Sequence, residues 1–158
     1  MRKLGVAMLD HIDSRLLQAL QRNAHLTAQD LGEMLNLSPS QAGRRRQRLE
    51  QAGYITGYHA RLDPAKLALG VQAFVQISVV SHAPEAARSF RTLLRARADI
   101  TAAWTLTGEA DFLLRVYCAD LGELNKLVQD VFLPHPAVAR VHSQIVMDQT
   151  KPDAPLPI

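Results

Sequence analysis

The hydrophobic period of this chain is that of helices throughout its first part and takes up the spacing of strands for the first time between residues 63 and 71. Ahead of the change, Ile12, Leu16, Leu17 and Leu20 recur at helical steps, which lays them along one stripe. Beyond it, Val71, Ala73, Val75, Ile77 and Val79 alternate with Gln72, Phe74, Gln76 and Ser78, a pattern that sorts side chains onto the two faces of a strand. A chain of 158 residues that reverses its period in this way is expected to form two small domains rather than one. The expected division is a helical domain over 1–63, a connector over 64–70, an α+β domain over 71–150 and a proline-rich, disordered tail over 151–158.

Three helix starts are legible in the first part. Asp10 is placed to cap a first helix, with Asp13 adding charge where the helix dipole favours it. Thr27 opens a second helix with Asp30 three residues on and Leu31, Met34 and Leu35 as its buried side, and Asn36-Leu37 ends it. The third start, Ser38-Pro39-Ser40-Gln41, combines a serine cap, proline at the first helical position and glutamine at the third, and Gly53 supplies the stop. Two short helices joined by a tight turn form a helix-turn-helix, whose second helix enters the major groove of DNA. The β-forming residues from Tyr54 to Asp63, set around Gly57, predict a short hairpin, the wing of a winged helix-turn-helix.

Charge supports that reading. Residues 1–63 hold 9 Lys+Arg against 6 Asp+Glu, residues 64–158 hold 9 of each, and four arginines fall within Arg44 to Arg48. Arginine and glutamine reach guanine and adenine edges bidentately, and arginine also grips phosphate. Ser38, Ser40, Gln41 and Arg44, near the helix start, are the candidates for the DNA-reading end. Arg45 and Arg48 are assigned to phosphates or to a structural carboxylate, and Arg61 on the wing to the DNA backbone. The bland alternative is a solvated helix face.

The second part reads βαββαβ, the ferredoxin-like order. Strands are expected around Val71 to Val79, Ile100 to Leu106 (Ile100, Ala102, Trp104 and Leu106 alternating with Thr101, Ala103, Thr105 and Thr107), Phe112 to Cys118 and Val141 to Met147. Helices are expected over 84–97 (Ala87, Phe90 and Leu94 inward) and from Leu121 to Val131. With both helices on one face of the sheet, the other face, carrying Phe74, Thr105, Leu113 and Tyr117 or their alternates, has no partner within the chain. A second copy is the expected cover, giving a two-fold dimer.

Other classes find little support. No apolar run reaches the ~18 residues of a membrane span, and Met1 to Ala7 is too short in apolar residues for a secretory leader, so a cytoplasmic protein is expected. The lone Cys118 excludes an internal disulfide. The six histidines show no metal-ligand spacing, and no nucleophile elbow, phosphate loop or dinucleotide fingerprint is present, so neither an enzyme nor a cofactor is expected.

Leu9-Asp10, Ile12-Asp13, Leu16-Leu17, Leu20-Gln21, Asn23-Ala24, Leu37-Ser38, Arg45, Arg48-Leu49-Glu50, Gly53, Ile55, Gly57-Tyr58 and Leu62-Asp63-Pro64 together resemble the Lrp/AsnC family, the feast/famine regulators of bacteria and archaea. Arg46 departs from the family's usual apolar residue. Thr107-Gly108-Glu109-Ala110-Asp111-Phe112-Leu113-Leu114 is similar to the loop of that family's effector domain. The resemblance implies a transcriptional regulator that binds double-stranded DNA as a homodimer, tetramer or octamer and takes an amino acid between dimers. It places the effector at the loop Gly108, Glu109 and Asp111 and at the last strand, here Ser143 and its neighbours, with Trp104 as a wall. Gly108 would free the backbone to approach the ligand, and Asp111 would accept from its α-ammonium. The alternative is an architectural DNA-binding protein without an effector.

Overall fold

Three capping boxes set the helices at the N-terminal end. In the computed structural model, which describes residues 9–80 and 84–158, Asp10 and Asp13, Thr27 and Asp30, and Ser38 and Gln41 each exchange side-chain and backbone hydrogen bonds across the first turn of a helix. The helices are α1 (His11–Arg22), α2 (Ala28–Leu35) and α3 (Pro39–Gln51). Leu16, Leu17, Leu20, Leu31, Leu35, Ala42 and Leu49 bury together as their shared core. Met34, expected inside, is 49% exposed.

The turn between α2 and α3 is tight because residue 32 has no side chain. A Cβ on Gly32 would stand 2.8 Å from the carbonyl oxygen of Leu37. That close approach lets the Leu37 N–H bond the Gly32 carbonyl at 2.9 Å, with Asn36 turning through the left-handed region at φ 55°. The end of α3 is equally defined. Gly53 takes φ 78°, its N–H bonds Glu50 O at 3.0 Å, and Tyr54 N–H bonds Leu49 O at 3.0 Å, the paired bonds of a Schellman stop.

The predicted wing hairpin does not form as a strand pair. Residues 55–63 run as irregular chain. The N–H groups of Tyr54 and Ile55 are already spent on the Leu49 carbonyl, at 3.0 and 3.3 Å, which starves the start of a ladder. A single 3₁₀ turn, Ala65–Leu67, interrupts the predicted connector.

The chain divides into two units, Met1–Arg61 with Lys151–Ile158 and Leu62–Thr150. The tail expected to be disordered therefore belongs to the first unit. Gln21 Oε1 accepts from Leu156 N–H at 2.6 Å, and Arg61 donates to Asp153 O at 2.6 Å. Proline content argued for disorder, but the polar side chains of α1 give the tail's backbone specific partners. The reading of Met1 to Ala7 lies outside the described residues.

The second unit contains β1 (Val71–Val79), α4 (Pro84–Ala96), β2 (Ile100–Thr105), β3 (Phe112–Cys118), α5 (Leu121–Lys126) and β4 (Val138–Ile145). Its strands form an antiparallel sheet in the order β2-β3-β1-β4, which with the two helices is the expected ferredoxin-like α+β arrangement. Ala73, Val75, Ile77, Phe112, Leu114, Val116, Phe90, Leu94, Leu124 and Phe132 form the core between helices and sheet. The second helix widens into a π-helical turn over Leu127–Phe132, which carries Phe132 fully inside.

One strand departs from its predicted phase. The β2–β3 register slips between Ile100 and Ala102, so Ile100 lies opposite Val116 while Trp104 lies opposite Leu113. A bulge exchanges the two faces of everything that follows it. Trp104 therefore joins Leu113 on the face away from the helices, where Thr105 was expected, and it is 44% exposed.

Candidate DNA-reading helix and effector recess

The outward side of α3 is built by what its neighbours do not take. Ala42 and Leu49 are buried, and Ser40, Arg44, Gln47 and Gln51 are exposed at steps of four, three and four, one stripe along the helix. Arg44 has no ion pair among the described residues. Gln47, on this stripe beside Arg44, was not picked out from the sequence. The exposure of a helix's third and fourth turns depends on how it packs, which spacing alone leaves open.

The other arginines are engaged. Arg45 donates to Asp10 at 2.6 Å and to Asp13 at 2.8 Å, and Arg48 donates to Asp13 at 2.5 Å. The Asp13 side chain is only 2% exposed, so this carboxylate is a buried charge shared by two guanidinium groups that clamp α3 against α1. The Asp13 N–H, and then Arg45, hold the Asp10 carboxyl below its ordinary range, while Asp10 and then Asp13 raise Arg45. Arg45 and Arg48 thus take the structural-carboxylate alternative, with Arg48 still half exposed at 52%. Gln41 spends its Oε1 on the Ser38 N–H at 3.0 Å, so both residues serve the cap first. Arg61 lies on the tail carbonyl of Asp153, as described.

Arg46, the departure from the family pattern, is also accounted for. Its Nε bonds Glu50 at 3.0 Å, another guanidinium nitrogen bonds Leu26 O at 3.1 Å, and the group lies 4.8 Å from the Tyr58 ring centre. Tyr58 hydroxyl donates to Glu50 at 2.8 Å and, with Arg46, draws its carboxyl below the usual value. The cation stays at the edge of the core by satisfying every group it meets.

In the second unit the Gly108 loop is pinned rather than open. Asp111 Oδ2 accepts the Val79 N–H at 2.8 Å, Asp111 N–H bonds Ile77 O at 2.9 Å, and Leu106 N–H closes the loop on Asp111 O at 2.9 Å. Asp111 is a latch between the loop and β1, with one carboxylate oxygen committed to the Val79 N–H. Gly108 takes φ 117° with open space where a Cβ would stand, so conformation, not crowding, demands glycine there. Ser78 hydroxyl donates to the Glu109 carbonyl at 3.0 Å.

Beside that loop lies a recess of about 230 Å³ lined by Gln76, Ser78, Glu109, Ala110, Arg140 and His142. Of the predicted effector residues it includes Glu109. Ser143 is opposite Val75 and therefore faces the helix side of β4, whereas Gln76 is opposite His142 on the recess side. Of the last-strand residues around Ser143, the strand brings its neighbour His142, and Arg140 beyond it, to the recess. Trp104 shares the recess's sheet face but does not line it.

The comparisons with known proteins settle the class. A family model described as the Lrp/AsnC ligand binding domain matches residues 72–156, and a winged helix-turn-helix DNA-binding model matches residues 9–56. The chain belongs to the Lrp/AsnC family. This Lrp/AsnC protein is a DNA-binding transcriptional regulator with a ligand-binding domain. It is 36% identical over 151 residues to the DNA-binding transcriptional activator DecR of Escherichia coli K12, covering 96% of this chain and 99% of that one. To the leucine-responsive regulatory protein of Haemophilus influenzae it is 33% identical, covering 96% and 91% of the two chains. A solved structure of the regulator NMB0573 from Neisseria meningitidis, in complex with L-methionine, superposes with a TM-score of 0.91 at 36% identity, covering 95% of this chain and 97% of that one. No helix among the described residues of this Lrp/AsnC regulator is long and apolar enough to cross a membrane.

Proposed function

We propose that α3 reads operator DNA through Ser40, Arg44 and Gln47, and that an amino acid bound beside the Gly108 loop governs that reading. The exposed stripe on a helix whose other arginines are tied to Asp10, Asp13 and Glu50 supports the first half. Arg44 offers the free fork that guanine recognition requires, and Gln47 the amide suited to adenine. Ser38, Gln41, Arg48 and Arg61 serve as secondary contacts, through the helix N-terminus and through guanidinium nitrogens left over from their present bonds.

One observation carries the second half: Glu109 and Arg140 line the same recess. A zwitterion needs both signs. In this assignment Glu109 takes the α-ammonium, Arg140 the α-carboxylate, and Ser78, Gln76 and His142 the remaining polar groups. Similarity to a regulator crystallised with L-methionine supports an amino acid as the ligand. The recess lies on the sheet face that also carries Phe74, Trp104, Leu113 and Tyr117, an apolar field of the kind that pairs two copies. A homodimer formed there places the ligand between subunits.

The test is a thermal-shift panel of the twenty amino acids on the intact chain and on Glu109→Gln and Arg140→Met, followed by sizing with the hit. A melting shift seen in the intact chain and lost in both variants is the expected result. A panel without any shift, together with DNA affinity indifferent to every amino acid, overturns the effector reading and leaves an architectural DNA-binding protein. A monomer by sizing overturns the dimer.

A further inference from the structure

The chain leaves the first unit at Arg61 and returns to it at Lys151, and the returning segment is recognised rather than merely adjacent. Gln21 reads one residue of it from both sides, accepting the Leu156 N–H at 2.6 Å and donating to the Leu156 carbonyl at 3.3 Å. Gln18 donates to the main-chain oxygen of Ile158, and Arg61 to the carbonyl of Asp153 at 2.6 Å. Leu156 and Ile158 border a groove of about 480 Å³ with Leu17, Leu20, Tyr54, Ile55 and Tyr58.

The tail's own chemistry suits this mode. Pro155 and Pro157 have no N–H and hold φ near −65°, so Leu156 presents the only amide hydrogen in that stretch, in a pre-extended chain with little entropy to lose. The hold is weak by construction. Leu156 remains 72% exposed and Ile158 47% exposed, so backbone hydrogen bonds, not buried area, carry it. A tethered segment needs only about millimolar intrinsic affinity to be substantially docked, and an equilibrium of that size is easily shifted.

The tether is also short. Val146 N–H still bonds Gln72 O at 2.9 Å, which leaves six residues, 147–152, between the last sheet hydrogen bond and the first bonded residue of the tail, Asp153. Six residues reach at most about 22 Å. The strand that ends there, β4, is the one that carries Arg140 and His142 into the recess.

We propose that Lys151–Ile158 is a releasable clasp on the DNA-reading unit, docked through Gln18, Gln21 and Arg61 and governed by the set of β4. Its regulation by an amino acid rests on the effector reading above; its docking does not. Filling the recess shifts β4 and, through the six-residue tether, changes the fraction of tail that is docked and so the freedom of the reader.

Amide exchange followed by NMR on the intact chain tests the docking directly. Leu156 N–H is protected in the wild type, and Gln21→Ala speeds its exchange by on the order of fivefold or more. A synthetic peptide of residues 151–158, added at millimolar concentration to a chain ending at Thr150, moves the resonances of α1 and of residues 54–58. The same peptide moves nothing in the truncated chain that also carries Gln21→Ala. Leu156 exchange at the free-peptide rate, or a peptide silent at several millimolar, overturns the clasp. For the regulation, the truncated chain is expected to keep its amino-acid melting shift while its DNA affinity stops responding. A truncated chain with an undiminished DNA response overturns the coupling. If no amino acid shifts the melting of the intact chain, the effector reading and the coupling fall together, and the exchange and peptide experiments still decide the docking.

Discussion

Replacing Asp13 by asparagine keeps the shape of the side chain and removes the charge that holds Arg45 and Arg48 against α1. Taking one partner from a buried ion pair costs about 3–5 kcal/mol when the remaining charge is stranded. Here the stranded charges are not deeply buried: Arg45 is 26% exposed and Arg48 52%, so both can turn to water. The cost should accordingly fall to about 2–3 kcal/mol, including the repulsion between the new amide N–H₂ and the two guanidinium groups. For a unit of roughly 70 residues, about 4–8 °C is lost per kcal/mol, so its melting transition should drop by about 10–20 °C. Scanning calorimetry on the intact chain measures this, with the separately cored unit Leu62–Thr150 as an internal control. A double-mutant cycle with Arg45→Met isolates the pair, and a coupling of about 1–3 kcal/mol is expected. A shift below about 2 °C, or a coupling of zero, would mean that the clamp contributes nothing. The same substitution frees Arg48 and leaves Arg45 to Asp10 alone, so binding to random duplex at permissive temperature should tighten and depend more steeply on salt. Unchanged salt dependence would refute the view that Asp13 holds Arg48 partly back from DNA.

Further outcomes follow from the same geometry. Arg44→Ala should cost about 1–3 kcal/mol on a specific duplex and relax base preference, while Arg48→Ala should weaken specific and random duplexes alike; equal loss of specificity in competition assays would refute the division of roles. Gly32→Ala forces a Cβ to 2.8 Å from the Leu37 carbonyl and should destabilise the reader by about 1–3 kcal/mol in urea unfolding, whereas Gly43→Ala, whose Cβ would meet Ala28 Cβ at an ordinary 3.7 Å, should be neutral or stabilising by up to about 1 kcal/mol. The Asp10 carboxyl is lowered first by the Asp13 N–H, Asp30 by the Thr27 N–H and Glu50 by the Tyr58 hydroxyl. The unfolded chain therefore takes up these protons first, and stability held above about pH 4–4.5 is lost as pH falls through the lowered native values. The urea midpoint should be flat from neutrality to about pH 5 and then decline, and a midpoint that rises on acidification contradicts this. Burial, aided by Asp99, pushes the Cys118 thiol up, so a thiol reagent should label it only at the rate at which the second unit unfolds.

The sequence carried the elements further than it carried the side chains. Caps at Asp10, Thr27 and Ser38, the proline at 39 and the glycine at 53 are local chemistry, and each appears where that chemistry puts it. The misreadings are all matters of phase or partner. A single slipped residue between Ile100 and Ala102 moved Trp104 to the open face, and the one-residue offset between Ser143 and His142 decides which of that neighbourhood meets the recess. Neither is visible without the neighbouring strand. Asp13 looked like a dipole residue because first-turn aspartates usually are, and only the approach of α3 turned it into the anchor for Arg45 and Arg48. The hairpin expected of the wing does not pair as strands, its first N–H groups being committed to Leu49. The tail found order through Gln18 and Gln21, two side chains that by composition alone are ordinary solvent-facing glutamines.

The anchoring of Arg45, Arg46 and Arg48 to carboxylates alters what a polyanion meets on approach. Formal charge credits α3 with four cations, yet three arrive already neutralised by Asp10, Asp13 and Glu50. Counterion release per reading head should be correspondingly small, so in the dimer proposed above each added head, rather than a stronger grip by one, is what raises affinity for duplex.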